Sequence, residues 1–103
     1  MIVGILQVEL VIDGAVSLKD KRRVVNSIKD KLHREHQVSV AETDALDNHR
    51  IAILGITMAS NDISYCHSVL DRVLEKLKHK RDCYLNDHNK QVLSGTIDRV
   101  DNQ

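Results

Sequence analysis

The sequence predicts an α+β domain with a ferredoxin-like βαββαβ order, in which two helices cover one face of a four-stranded antiparallel sheet. The 103-residue chain has the usual length of one domain. The spacing of its apolar residues changes between the alternation typical of a strand and the three- and four-residue spacing typical of a helix. The order along the chain is strand, helix, strand, strand, helix, strand. Two right-handed crossovers about a central hairpin then place both helices on one face. We expect one domain over residues 1–95 and a polar tail over residues 96–103.

The N-terminal third predicts the first strand and the first helix. Residues 2–12 are rich in Val, Ile and Leu, which is typical of a central strand. Ser17 stands three residues before Asp20, an approximation to a capping box, so the helix is expected to begin near Leu18. Its apolar stripe is expected to face the core and comprises Val24, Val25, Ile28 and Leu32.

The middle of the chain predicts a hairpin. Residues 37–42 alternate apolar with polar or small side chains, and residues 50–59 form a second apolar run with Val, Ile and Thr character. The intervening residues 43–49 contain three Asx residues, whose short side chains satisfy turn backbone. These segments are expected to be strand two, strand three and the turn between them.

The C-terminal third predicts a second helix and a final strand. Residues 60–62, Ser-Asn-Asp, supply an N-cap signal, and the helix is expected to run to about His79. Its stripe comprises Ile63, Cys66, Val69, Leu70, Val73, Leu74 and Leu77. Residues 83–93 hold few strongly apolar side chains, and part of this segment is expected to form strand four.

The sheet face opposite the helices is predicted to carry an apolar patch. Its members are Val3, Ile5, Val11, Ile51 and Ile53, beside the more polar Gln7, Glu9 and Thr57. Because water disfavours such a surface, we expect this face to form a homodimer or to bury against another chain.

Charge is concentrated in the first helix. The net charge is zero, so no whole-molecule attraction to polyanions is expected, but residues 17–36 hold seven Lys or Arg against three acids. The candidate nucleic-acid-binding residues are Lys19, Lys21, Arg22, Arg23, Lys29 and Lys31, with Arg34 beyond them. Such a helix would contact phosphates without reading bases, so sequence-specific DNA binding is not expected. The alternative is a solvated helix face balanced by its acids.

Catalytic, metal and base-stacking sites are not predicted. The six His and two Cys residues match no metal-ligand spacing, and Cys66 lies on an apolar stripe. No phosphate loop or nucleophile motif is present, and Glu9, the nearest approach to a placed carboxylate, is expected to be solvated or paired across strands. The two central strands lack the aromatic residues on which RNA-recognition motifs stack bases. We therefore expect no enzyme, cofactor or metal.

Four parts of the sequence carry a resemblance to a known family: MIVGILQVEL, SLKDKRRVV, VSVAE, and SND followed by VLDRVLE. They resemble the bacterial YlxP-like family of small domains of unknown function. The resemblance spans roughly residues 1–93. It implies a ferredoxin-like fold and a translation-associated role, since genes of that family often neighbour those for translation initiation and ribosome maturation. It names no catalytic residue. The final segment CYLNDHNKQVL is more polar than the family's usual last strand.

The leading hypothesis is a non-enzymatic cytosolic accessory protein that contacts ribosomal RNA or a ribonucleoprotein through the basic helix. The rival is a homodimeric protein-interaction module that uses the open sheet. A third alternative is a small-molecule regulatory domain with its ligand near Asp13-Gly14. We expect a cytosolic location because Gln7 and Glu9 interrupt the N-terminal apolar run, which fits neither a membrane span nor a signal peptide. With only two cysteines, a structural disulfide is not expected.

Overall fold

The computed structural model describes residues 1–95, and the polar tail predicted for residues 96–103 lies outside the described residues. The sheet order is β2-β3-β1-β4, and every neighbouring pair is antiparallel. Both the order of elements and the sheet topology confirm the predicted fold class. The elements are β1 (Ile2–Ile12), α1 (Leu18–His36), β2 (Ser39–Asp44), β3 (Ile51–Ser60), α2 (Ile63–Lys78) and β4 (Cys83–Ser94).

Helix α1 begins at the predicted residue because two side chains bond to its first turn. The Ser17 hydroxyl accepts a hydrogen bond from the Asp20 N–H at 3.2 Å, and Asp20 Oδ2 accepts one from the Val16 N–H at 3.0 Å. The bond from Val16 stabilises the carboxylate and lowers the pKa of Asp20. The Ser17 contact satisfies one N–H group of the first turn, and the Asp20 contact satisfies the N–H of Val16, which precedes the helix.

The second strand starts two residues later than predicted. Gln37 does not begin it, because this residue has a left-handed backbone with φ of 54° and donates its N–H to the His33 carbonyl oxygen at 3.1 Å, which closes α1. The strand then continues through Thr43 and Asp44, which the sequence analysis assigned to the turn. The observed hairpin loop is correspondingly shorter, over residues 45–50.

Helix α2 packs closely on β1 at a glycine. A Cβ atom added to Gly4 would lie 2.5 Å from Cys66 Sγ and 2.9 Å from Leu70 Cδ1, so the absence of a side chain allows this approach. Cys66 is fully buried, as its place on the stripe predicts. Ile63 is 53% exposed, and its prediction as a core residue is wrong. It lies in the first turn and about 60° around the helix from Cys66, at the margin of the stripe.

Strand β4 is complete despite its polar composition. It pairs with β1 from Ile2↔Ser94 to Ile12↔Cys83, with one register shift. Its polar residues are tolerated because β4 is at the sheet edge, where one flank of the strand has no neighbouring strand among the described residues. Lys90 lies on the helix side and pairs with Asp71 of α2 at 2.7 Å.

Candidate functional surfaces

The face of the sheet left uncovered by the helices carries every predicted interface residue. Val3, Ile5, Val11, Ile51 and Ile53 are all only half-buried. Strand alternation produces this result, because the even-numbered residues of β1 point to the helices and the odd-numbered ones point away. We define the open face as the odd-numbered residues 3–11 of β1 and 51–59 of β3, with the β4 residues that pair with those of β1.

Two large apolar residues of the open face were missed by the sequence analysis. Tyr84 pairs with Val11 and is 56% exposed, while Leu93 pairs with Val3 and is 50% exposed. The register of β4 shifts at Asn86, which places the even-numbered Tyr84 on the same face as the odd-numbered Leu93. No local pattern marks this bulge, so only the pairing with β1 identifies the face of Tyr84.

The open face has apolar ends and a polar centre. Two clusters of apolar side chains occupy the ends, one formed by Val11, Tyr84, Ile51 and Ile53 and the other by Val3, Ile5 and Leu93. Between them lies a polar band of Gln7, Glu9, Asp87 and Asn89, with a depression of about 90 Å³. Glu9 Oε2 accepts a hydrogen bond from Asn86 Nδ2 at 2.6 Å, so this carboxylate is paired across strands.

Lys21 does not belong to a solvent-exposed basic surface, and its prediction as a binding residue is wrong. Its side chain is 1% exposed, and its Nζ lies 2.6 Å from Glu42 Oε2. The Nζ hydrogens are donated to the carbonyl oxygens of Ala45, at 2.9 Å, and Ile51, at 3.2 Å. The sequence spacing indicates this burial, because Lys21 stands four residues before Val25 and so extends the buried stripe by one turn.

The other predicted cations of α1 do not form one patch. Lys19, Arg22, Arg23 and Lys31 are exposed, and Lys29 is half-buried. At 100° per residue, Arg22 and Lys29 share one flank of the helix. Lys31 lies on the opposite flank, where it lines a cleft with Lys76 of α2. The predicted binding residues are therefore spread around the helix and do not share one face.

The cysteines and histidines form no metal-binding group in the described chain. Within residues 1–95, no three or more His, Cys, Asp or Glu side chains are placed to hold a metal ion. Cys66 and Cys83 are free and buried. Burial raises the pKa of the Cys83 thiol to about 11 and also raises the pKa of Cys66. None of the described helices is long and apolar enough to cross a membrane.

The topology and the uncovered sheet define a two-layer protein of the ferredoxin-like class. A de novo designed protein with a ferredoxin fold, solved by solution NMR, is similar with a TM-score of 0.58 and 15% identity. The alignment covers 100% of this chain and 96% of that chain and shows the fold alone. A family model described as "Protein of unknown function (DUF503)" matches residues 3–90, and the chain belongs to that family. No curated protein matches the sequence.

Proposed function

We propose that this chain is a non-enzymatic accessory protein that acts as a homodimer joined through the open face. The observation that carries the proposal is the set of incompletely buried apolar residues on one uncovered face, namely Val3, Ile5, Val11, Ile51, Ile53, Tyr84 and Leu93. Removal of apolar surface from water contributes about 25 cal/mol per Å² of buried area to the free energy of association. Two exposed apolar clusters on one face favour association.

The pattern of the open face supports a second copy of the same chain as its partner. On the open face, each residue of β1 forms a row with its partner in β4. Along the strands the rows at the two ends are apolar and those between them are polar, and the row of Gln7 and Asn89 is the central one. A two-fold axis that lies in the plane of the interface and runs along the strands places each row opposite its own copy, so apolar ends meet apolar ends and one polar band meets the other. This is the self-complementarity that an isologous dimer requires.

The size of the face is sufficient for a modest dimer. Three strands of about ten residues and the six-residue β2, about 4.8 Å apart, cover about 570 Å². Two such faces would bury about 1,100 Å² in total, a size typical of weak interfaces. The polar bands would also bring Glu9 and Asp87 near their copies, and repulsion between carboxylates would weaken the dimer. We therefore expect a micromolar dissociation constant.

The test is the mass in solution, measured by light scattering across a concentration series. Wild-type protein is expected to be dimeric at tens of micromolar. Ile53→Glu places a charge in the apolar end of the face and should give a monomer. Ile63→Glu is the matched control, because Ile63 is exposed on α2 and away from the sheet. A monomeric wild type, or equal masses for the two variants, contradicts the proposal.

A second candidate function is contact with ribosomal RNA or a ribonucleoprotein. It is favoured by the exposure of Lys19, Arg22 and Arg23 in the first two turns of α1. A dimer joined through the sheets leaves the two helix layers exposed on opposite sides, so each copy would present its own basic segment to a polyanion. The translation-associated role and the cytosolic location implied above belong to this proposal.

A further inference from the structure

A notch lies in the helix layer between the last turn of α1 and the first half of α2. Its volume is about 300 Å³, at the lower end of the range for small-molecule sites. The polar side chains that line it include Arg34 and His36 from α1 and Tyr65 and Arg72 from α2. The notch is on the opposite side of the sheet from the open face, so its role is independent of dimer formation.

The notch has an excess of positive charge. Neither Arg34 nor Arg72 forms an ion pair with any residue from 1 to 95. Arg72 Nε donates to the Ser68 carbonyl oxygen at 3.3 Å, which leaves the terminal nitrogens of the guanidinium available. The one acid at the notch, Glu35, is already bound by Lys76, and this hydrogen bond lowers the pKa of Glu35.

His36 adds an unsatisfied polar atom. Its Nε2 is buried and has no hydrogen-bond partner within the described chain. Burial, together with the positive charges of Lys76 and Arg72, lowers the pKa of His36. Buried polar atoms in folded proteins normally have partners, so His36 leaves one polar atom unmatched beside the notch.

The helix dipoles do not oppose an anion here. The C-terminus of α1 contributes the equivalent of about half a negative charge, but the first turn of α2, which contains Tyr65, contributes about half a positive charge at the same notch. These effects roughly cancel. The two full charges of Arg34 and Arg72 therefore decide the local potential.

We propose that the notch binds a phosphate-type oxyanion, either free phosphate or the terminal phosphate of a small metabolite. The planar guanidinium presents paired N–H donors that match the oxygens of phosphate. Arg34 and Arg72 supply this recognition from two different helices, and Tyr65 lines the same notch.

An NMR titration of amide and arginine side-chain resonances tests the site. Inorganic phosphate and a nucleoside 5′-monophosphate are added separately at constant ionic strength, with sodium chloride as the control salt. Saturable shifts around residues 34–37 and 65–72, with a millimolar dissociation constant, are expected. Equal affinity for both ligands assigns recognition to phosphate alone, and tighter binding of the nucleotide assigns it to a phosphorylated metabolite.

The double variant Arg34→Gln/Arg72→Gln is expected to bind phosphate at least about tenfold more weakly. The matched control is Arg50→Gln/Arg81→Gln, which removes the same charge from exposed positions outside α1 that do not line the notch. All four arginines are exposed, so both variants should keep the wild-type amide spectrum. Absence of saturable shifts in wild type, or equal affinity in the two variants, overturns the proposal.

Discussion

Lys21 shows how one buried cation can organise a neighbouring loop. Its ammonium group crosses from α1 to the β2–β3 hairpin, where it meets Glu42 and the carbonyl oxygens of Ala45 and Ile51. Ala45 has a left-handed backbone with φ of 55°, a conformation that costs energy for a residue with a Cβ. The hydrogen bond from Lys21 helps to hold the loop in that conformation.

Replacing Lys21 with Met should lower the free energy of unfolding by about 2 to 4 kcal/mol, because Glu42 and the two carbonyls lose their partner. Urea denaturation followed by circular dichroism, at fixed protein concentration, measures the loss. Lys19→Met, at an exposed position on the same helix, is the control and should change stability by less than about 0.5 kcal/mol. A loss below about 1 kcal/mol for Lys21→Met would show that the buried pair contributes little.

At the scale of elements, β1 and α2 approach each other closely at Gly4. Gly4 is needed there because Cys66 Sγ and Leu70 Cδ1 occupy the space of a side chain. A glycine inside a strand otherwise costs conformational entropy. The close approach of the helix explains why this position has no side chain.

Gly4→Ala should therefore destabilise the protein by about 1 to 3 kcal/mol, since overpacking outweighs the entropy gained in the unfolded chain. Thermal and urea denaturation at one protein concentration measure the change. Gly95→Ala is the matched control, because nothing lies within 4 Å of the added Cβ. If Gly4→Ala were as stable as Gly95→Ala, α2 would have to be free to move away from β1.

The sequence was most informative about elements and least informative about contacts between them. Helix α1 could be placed to its first residue because Ser17 and Asp20 act locally, and the face of each β1 residue followed from strand alternation. The position of Tyr84 depends on a bulge that exists only in the pairing with β1. The notch depends on where two helices meet, so its lining residues, such as Arg34 and Arg72, are far apart in the chain.

At the scale of the whole molecule, the polar band of the open face should limit the strength of the dimer. Glu9 and Asp87 pair across β1 and β4, so a second copy brings four carboxylates into one band. Neutralising them with Glu9→Gln/Asp87→Asn removes repulsion between like charges and keeps the shape of the side chains. The dimer dissociation constant is expected to fall by about tenfold, as measured by analytical ultracentrifugation. An unchanged dissociation constant in this variant would place the band outside the interface.

The charge distribution also predicts how the protein would bind RNA. With zero net charge, only a local group of cations can release counterions from a phosphate backbone. The variant Arg22→Gln/Arg23→Gln/Lys29→Gln should therefore weaken binding to RNA of any sequence and flatten its dependence on salt.

A matched control for this triple variant is Arg50→Gln/Lys78→Gln/Arg81→Gln, which removes three exposed cations outside α1. Filter binding or fluorescence anisotropy over a salt series measures both slopes. If the control reduces the affinity and the salt slope as much as the α1 variant does, binding reflects total charge and has no centre on α1. If wild type fails to bind ribosomal RNA at low salt, the cations of α1 form only a solvated surface, and the open face alone accounts for association with a partner.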